Sequence, residues 1–202
     1  MEIREKIIDG AGKMFIEHGT RQITMDTIAQ SLGISKRTIY ENFKDKNDLL
    51  LSYLSEAIHN YKKESLEILK TADNVIDALF KFGEFNQEVI REINPCFLSD
   101  MKKYHPDVFK KVMGDDQIRN YEVTYMILKR GINEGTFRKE IDIEVANLFI
   151  HNSMEFFQKM VDERNISHHK IWTSVHLPYL RGICTEKGQE LLKGFTDRYT
   201  EN

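Results

Sequence analysis

Apolar residues recur at spacings of three and four along nearly the whole chain, the period of an amphipathic helix. Ile3, Ile7, Ile8, Ala11, Met14 and Phe15 line one face of a first helix, and Gly19 is placed to end it in the left-handed conformation. Thr24 is a good N-cap for a short second helix carrying Ile28, Ala29 and Leu32, which Gly33 closes. Ser35 can cap a third helix whose Ile39 and Phe43 face inward. Asp45 can cap a long fourth helix running from Leu49 to Leu69, with Asp48 in its first turn, where the helix dipole favours a carboxylate. A fifth helix begins near Asp73 or Asn74 and is stopped by Pro95. A short one spans about Cys96 to Tyr104 and is cut by Pro106. The pattern then predicts a long helix through Val108, Val112, Ile118, Tyr125, Leu128 and Ile132, ending at Gly131 and Gly135. Asp142 opens another with Val145, Ala146, Leu148 and Phe149, and a last helical region, about His169 to Arg198, is interrupted near Gly182 to Thr185.

The expected fold is therefore all-α, with about nine helices. A sparse supply of turn formers agrees: 11 Gly and 3 Pro in 202 residues. That length fits one domain, or a small domain fused to a larger one. No segment approaches the roughly 18 apolar residues of a membrane span. The N-terminus runs directly into an amphipathic pattern without a continuous apolar signal core. Two cysteines, Cys96 and Cys184, cannot build a disulfide framework, and each is expected to be packed. A cytoplasmic protein without membrane partners is expected.

The stretch Thr24 to Lys46, TMDTIAQSLGISKRTIYENFKDK, carries the chemistry. Two short capped helices joined by a glycine turn describe a helix-turn-helix, whose second helix can enter the major groove of DNA. Ile28, Ala29, Leu32, Ile34, Ile39 and Phe43 fall on one side. Ser35, Lys36, Arg37, Thr38, Tyr40, Glu41 and Asn42 are left for the other, types that donate to phosphates and read base edges. Arg37 suits guanine and Asn42 suits adenine. Any helical hairpin with a polar surface also has this outline, so the downstream residues decide.

Tyr40-x-x-Phe43-x-x-Lys46-x-x-Leu49, directly after Leu32-Gly33-Ile34-Ser35, resembles the N-terminal signature of the TetR (tetracycline-repressor-like) family of transcriptional regulators. Ala11, Phe15, Gly19, Thr24, Ile28 and Ala29 also stand where that signature has them. Further along, Phe97-Leu98-x-Asp100 before Tyr104-x-Pro106 is similar to the family's sixth helix. Gly131-Ile132-x-x-Gly135-x-Phe137-Arg138 is similar to its junction of helices seven and eight, and Arg181-Gly182-Ile183 to its last core helix. The resemblance implies a homodimer. In it, a helix-turn-helix domain at 1–48 (motif about 24–43) is joined by a long fourth helix to an effector-binding and dimerisation domain at 49–202. It implies a repressor released from a palindromic double-stranded operator by a small molecule. It places Ser35, Lys36, Arg37 and Thr38 at the opening of the recognition helix, Tyr40 and Asn42 against backbone or bases, and Lys46 and Thr24 on phosphates. Glu41 departs from some relatives. A carboxylate there is unfavourable near phosphate unless it pairs with Arg37 or accepts from a cytosine amine.

The resemblance also places an effector pocket among the bulky residues of the larger half. Its expected lining is Phe82, Phe85, Phe97, Met101, Tyr104, Tyr121, Tyr125 and His151, suited to a largely apolar or aromatic molecule. By periodicity alone such residues are ordinary core. The same resemblance assigns Phe149, Ser153, Phe156, Phe157, Trp172 and Leu180 to a dimer interface; periodicity alone also allows burial within one subunit.

Nothing points to an enzyme or cofactor. No Walker loop, dinucleotide fingerprint or GxSxG is present. Glu56-x-x-His59 has the spacing of a helical metal site but lacks the second copy such a site needs, so no metal is expected. The alternative reading is a helical ligand-binding or interaction protein without a DNA function. Charge bears on this. The chain carries a net −3, yet Thr20 to Lys46 holds five bases and three acids, a local +2. The acidity belongs to the rest of the chain, and affinity for DNA must rest on helix N-termini and hydroxyls as well as on neutralised phosphates.

Overall fold

The computed structural model describes residues 2–113 and 121–200. They form α1 (Ile3–His18), α2 (Met25–Leu32), α3 (Lys36–Asn42), α4 (Lys46–Thr71), α5 (Val75–Glu92), α6 (Phe97–Tyr104), α7 (Pro106–Met113), α8 (Tyr121–Asn133) and α9 (Ile143–Arg164). Then come α10 (His168–Ile171), a π turn (Trp172–His176), α11 (Leu177–Ile183) and α12 (Glu186–Thr200). The π turn joins α10 to α11 without leaving helical backbone angles, so eleven helical rods stand where about nine were expected. The expected join between Val112 and Tyr125, with Ile118, lies outside the described residues. No strand occurs among the described residues; one isolated bridge pairs Phe137 with Cys184.

The chain divides into two compact units that do not follow chain order. One comprises 1–63 and 84–118, the other 64–83 and 119–202. In the first, α1, α2, α3 and the start of α4 close around Ile7, Ala11, Phe15, Ile28, Ile39, Phe43, Leu49 and Leu50. Phe97 and Met101 of α6 and Val108 of α7 belong to the same core. Expected caps are in place. The Thr24 hydroxyl accepts the Thr27 N–H at 3.1 Å, and Ser35 accepts that of Thr38 at 3.0 Å. Asp45 accepts the Asp48 N–H at 2.9 Å, as an N-cap should. Gly33 is left-handed, with φ 65°. Its N–H reaches the Gln30 carbonyl while that of Ile34 reaches Ala29, a Schellman closure that sets the turn between α2 and α3. Gly19 has positive φ (77°) but ψ 166°, so it ends α1 in an extended rather than left-handed helical conformation, correcting that expectation.

In the second unit Val75, Ile76, Val123, Leu128, Phe137, Ile183 and Leu192 are core. The elbow between α4 and α5 is held by one ion pair. Arg130 donates to the carbonyls of Leu69 and Ala72 and to Glu134 at 2.5 Å, and Glu134 also accepts the Val75 N–H at 2.9 Å. Orphan carbonyls ending α4 and an orphan N–H opening α5 are thus satisfied by the same two side chains. Asp142 caps α9, accepting the Val145 N–H at 3.0 Å. Cys184 is buried, as expected, and burial pushes its thiol up to about 11. Cys96 is exposed at the head of α6, where packing was expected; the turn after Pro95 points it outward while Phe97 takes the interior position.

Candidate nucleic-acid interface

α3 is seven residues long, too short to be stable alone, and tertiary anchoring holds it in place. Ile39 and Phe43, essentially without solvent exposure, pin one face to the core. That leaves Ser35, Lys36, Arg37, Tyr40 and Glu41 exposed, and Thr38 half-buried. Lys36 forms an ion pair with Asp26 of α2 at 2.8 Å, which ties the two helices of the motif and raises the Lys36 pKa through that hydrogen bond. Arg37 Nε donates to Glu41 at 2.9 Å, one helical turn on. This is the pairing under which a carboxylate at 41 is compatible with a DNA-facing helix.

Besides the Ser35 cap and the ion pairs of Lys36 and Arg37, three more of the expected contact residues are partly engaged within the protein. The Thr24 hydroxyl caps α2, and Thr27 Oγ1 in turn accepts the Thr24 backbone N–H at 2.8 Å. Asn42 Nδ2 donates to the Thr38 carbonyl at 2.8 Å, turning the amide back along its own helix. Lys46 reaches inward. Its ammonium donates to the Thr20 carbonyl and sits 5.9 Å from the centre of the Phe15 ring, and burial lowers its pKa. The outward row on α3 is therefore Ser35, Lys36, Arg37 and Tyr40.

Sequence reasoning missed the polar group behind this surface. Asp100 of α6 accepts the Arg21 backbone N–H at 3.0 Å. His105, at the C-terminus of α6, is 6% exposed, and its Nδ1 donates to Asn47 Oδ1 at 2.5 Å. Its Nε2 and the Thr20 hydroxyl are buried without a hydrogen-bond partner. Burial and the nearby Lys46 charge lower the His105 pKa, against a smaller opposing effect of Asp100. Asp100 was visible as part of a motif, but its role depends on contacts 79 residues apart in sequence.

The expected effector residues divide between the two compact units. Phe97 and Met101 belong to the first unit's core and Phe82 to the second's. Phe85 stacks on Tyr61, with ring centres 5.2 Å apart. Tyr104 and Tyr125 are exposed. Tyr121 and His151 do meet, with rings 4.1 Å apart, and His151 Nε2 lies 3.0 Å from the Thr124 hydroxyl. Of the expected dimer residues, Phe149, Phe156 and Trp172 are exposed, while Ser153 and Phe157 are half-buried. Leu180 lies in the core of the second unit. Among the described residues no three His, Cys, Asp or Glu side chains converge on a metal position, and no helix is long and apolar enough to cross a membrane.

Residues 7–53 match the family model described as bacterial regulatory proteins, tetR family. The chain is similar to the HTH-type transcriptional repressor KstR2 of Mycolicibacterium smegmatis, 27% identical over 157 residues that cover 74% of this chain and 75% of that protein. Its fold is similar to the crystal structure of a TetR-family transcriptional regulator from Pectobacterium atrosepticum, with TM-score 0.67 and 20% identity, covering 91% of this chain and 94% of that one. It is also similar to a transcriptional regulator from Saccharomonospora viridis solved in complex with choline, with TM-score 0.63 and 20% identity, covering 91% and 98%. The capped helix-turn-helix, the signature that continues into α4 and these likenesses lead to one conclusion: residues 7–53 form a helix-turn-helix domain of the tetR family of bacterial regulatory proteins, in a chain similar to transcriptional regulators over most of its length.

Proposed function

We propose that this regulator is a cytoplasmic, homodimeric repressor that leaves a palindromic operator when a small, largely apolar effector binds. Residues 1–48 read the DNA, and 49–202 sense the effector and pair the subunits. The observation that carries the reading is the outward row Ser35, Lys36, Arg37 and Tyr40 on a helix whose opposite face is fully buried. Such a helix presents bidentate and hydroxyl donors to a groove at little cost in ordering. An exposed apolar stripe on α9, Val145, Leu148, Phe149 and Phe156, supports the dimer, since a surface of this kind asks to be covered. One structural neighbour was solved in complex with a small organic molecule, choline, which supports a ligand-sensing role. The effector acts through its difference in affinity between DNA-competent and DNA-incompetent states.

Selection of binding sites by the purified protein from random duplex DNA tests the reading. An enriched inverted repeat, with half-sites about one helical turn apart, is the expected result. No enrichment over input, with the protein folded, would sink it. Competition of the selected duplex by apolar, aromatic and charged small molecules then sorts the effector class.

A further inference from the structure

Arg21 and Lys103 share one aromatic ring. The Arg21 guanidinium carbon lies 5.4 Å from the centre of the Tyr104 ring, the Lys103 ammonium lies 5.3 Å from it, and all three residues are exposed. Arg21 comes from the turn between α1 and α2, Lys103 and Tyr104 from the last turn of α6. The group is fixed from behind by Asp100, which accepts the Arg21 backbone N–H at 3.0 Å. All of these residues lie in the compact unit that carries the recognition helix. Among the described residues, neither cationic side chain has a carboxylate within ion-pair distance, unlike Lys36 and Arg37. Positive charge continues around them: Lys102, Lys110 and Lys111 join Lys103 within residues 102–111, against the single carboxylate of Asp107.

Two cations held on one ring without an ion-pair partner repel each other, and an anion placed against both relieves that repulsion. Their distances from the ring centre limit their separation to about 11 Å. Arg21 precedes Thr24, the N-cap of α2, by three residues. The chain therefore keeps the two within about 11 Å, the span of roughly three phosphates of one DNA strand at about 3.4 Å of axis each. The N-terminus of α2 is itself suited to a phosphate.

We propose that Arg21 and Lys103, splayed on Tyr104, bind DNA phosphates flanking the segment that α3 reads. The DNA footprint then extends past the helix-turn-helix onto α6. The ring holds both cations in place before DNA arrives, which lowers the ordering cost of each contact. The inference rests on the reading of α3 as the DNA reader and adds residues outside the family's signature to it.

The test is equilibrium binding of the full-length protein to a 60-base-pair mixed-sequence duplex across a salt series, which needs no knowledge of the operator. Each phosphate contact contributes about 0.9 to the slope of log affinity against log salt. Arg21→Ala and Lys103→Ala are each expected to weaken binding about three- to tenfold at low salt and to reduce the slope by about one. The double variant should lose about two, Lys103→Arg should keep the wild-type slope, and Tyr104→Leu should fall between while Tyr104→Phe matches wild type. A variant that melts early is still judged by its slope, which follows contacts rather than the folded fraction. A double variant with the wild-type slope would overturn the proposal and leave α3 as the reader. A wild-type protein that shows no salt-dependent binding would overturn both.

Discussion

The Lys46 ammonium is committed inward, to the Thr20 carbonyl and the Phe15 ring. Its removal should therefore act through the geometry of the reader. Lys46→Ala is expected to lower stability by about 1–3 kcal/mol, because it strands a buried carbonyl, and to weaken DNA binding equally for all sequences. Thermal melting together with binding to cognate and scrambled duplexes checks this; unchanged melting would mean the lysine is free to serve phosphate directly. Arg37 and Glu41 are both exposed, so their pair adds little stability, about 0.5 kcal/mol or less. Glu41→Gln should leave melting unchanged yet tighten DNA binding, by freeing the guanidinium and removing a charge near phosphate. Loss of discrimination at one base position would instead assign Glu41 to a cytosine. His105 stays neutral in the native protein because its pKa is lowered by burial and Lys46. The unfolded chain binds the proton first, at its ordinary value near 6.5, so stability is fully present above that pH and declines as pH falls toward the native pKa. Melting temperature measured from pH 7.5 to 5 should drop less in His105→Gln than in wild type.

At the scale of elements, what was legible in the sequence was local. The caps Thr24, Ser35, Asp45 and Asp142 were readable because a cap involves four consecutive residues, and the α2–α3 turn because only one glycine stands at the required place. The inward commitments of Lys46 and Asn42 were not readable: a lysine or an amide on a polar face carries no mark of which partner it will meet. Leu180 fits a helical apolar stripe whether that stripe meets a second subunit or its own core; within one subunit it belongs to the same core cluster as Ile183 and Leu192. Gly131 reads from the sequence as part of the helix end, yet α8 runs on to Asn133 and Gly131 is a buried residue within it, whose packing role was not readable. A Cβ there would overlap the Phe137 ring, which is 2% exposed and has nowhere to go. Gly131→Ala should cost about 1–3 kcal/mol as overpacking, measured by denaturant titration, whereas Gly83→Ala, with open space around it, should be neutral or slightly stabilising within α5.

For the whole molecule, the exposed apolar stripe of α9 sets the oligomeric prediction. Phe156 is 60% exposed and Phe149 50%, so charging them should not unfold a subunit. Phe149→Glu with Phe156→Lys is expected to shift the protein from dimer to monomer in sedimentation. It should weaken binding to a two-half-site duplex by orders of magnitude more than to a single half-site, because joined readers engage at high effective concentration. Equal losses on both duplexes would place the pairing surface elsewhere.

The shared core of α1–α4 with α6 and α7 bears on how such regulators can be recombined. A chimera cut at residue 48 would carry every outward side chain of α3 into a new sensor, yet leave behind Phe97, Met101 and Val108, which close the interior beneath them. Ile7 and Phe15 would then meet a foreign helix, with a mismatch comparable to a large-to-small core change, about 3–5 kcal/mol for the phenylalanine alone. DNA preference is therefore expected to be portable as two segments that travel together, the first 63 residues and the stretch from 84 onward through α7. A graft that moves both should inherit the donor's DNA choice with its fold intact.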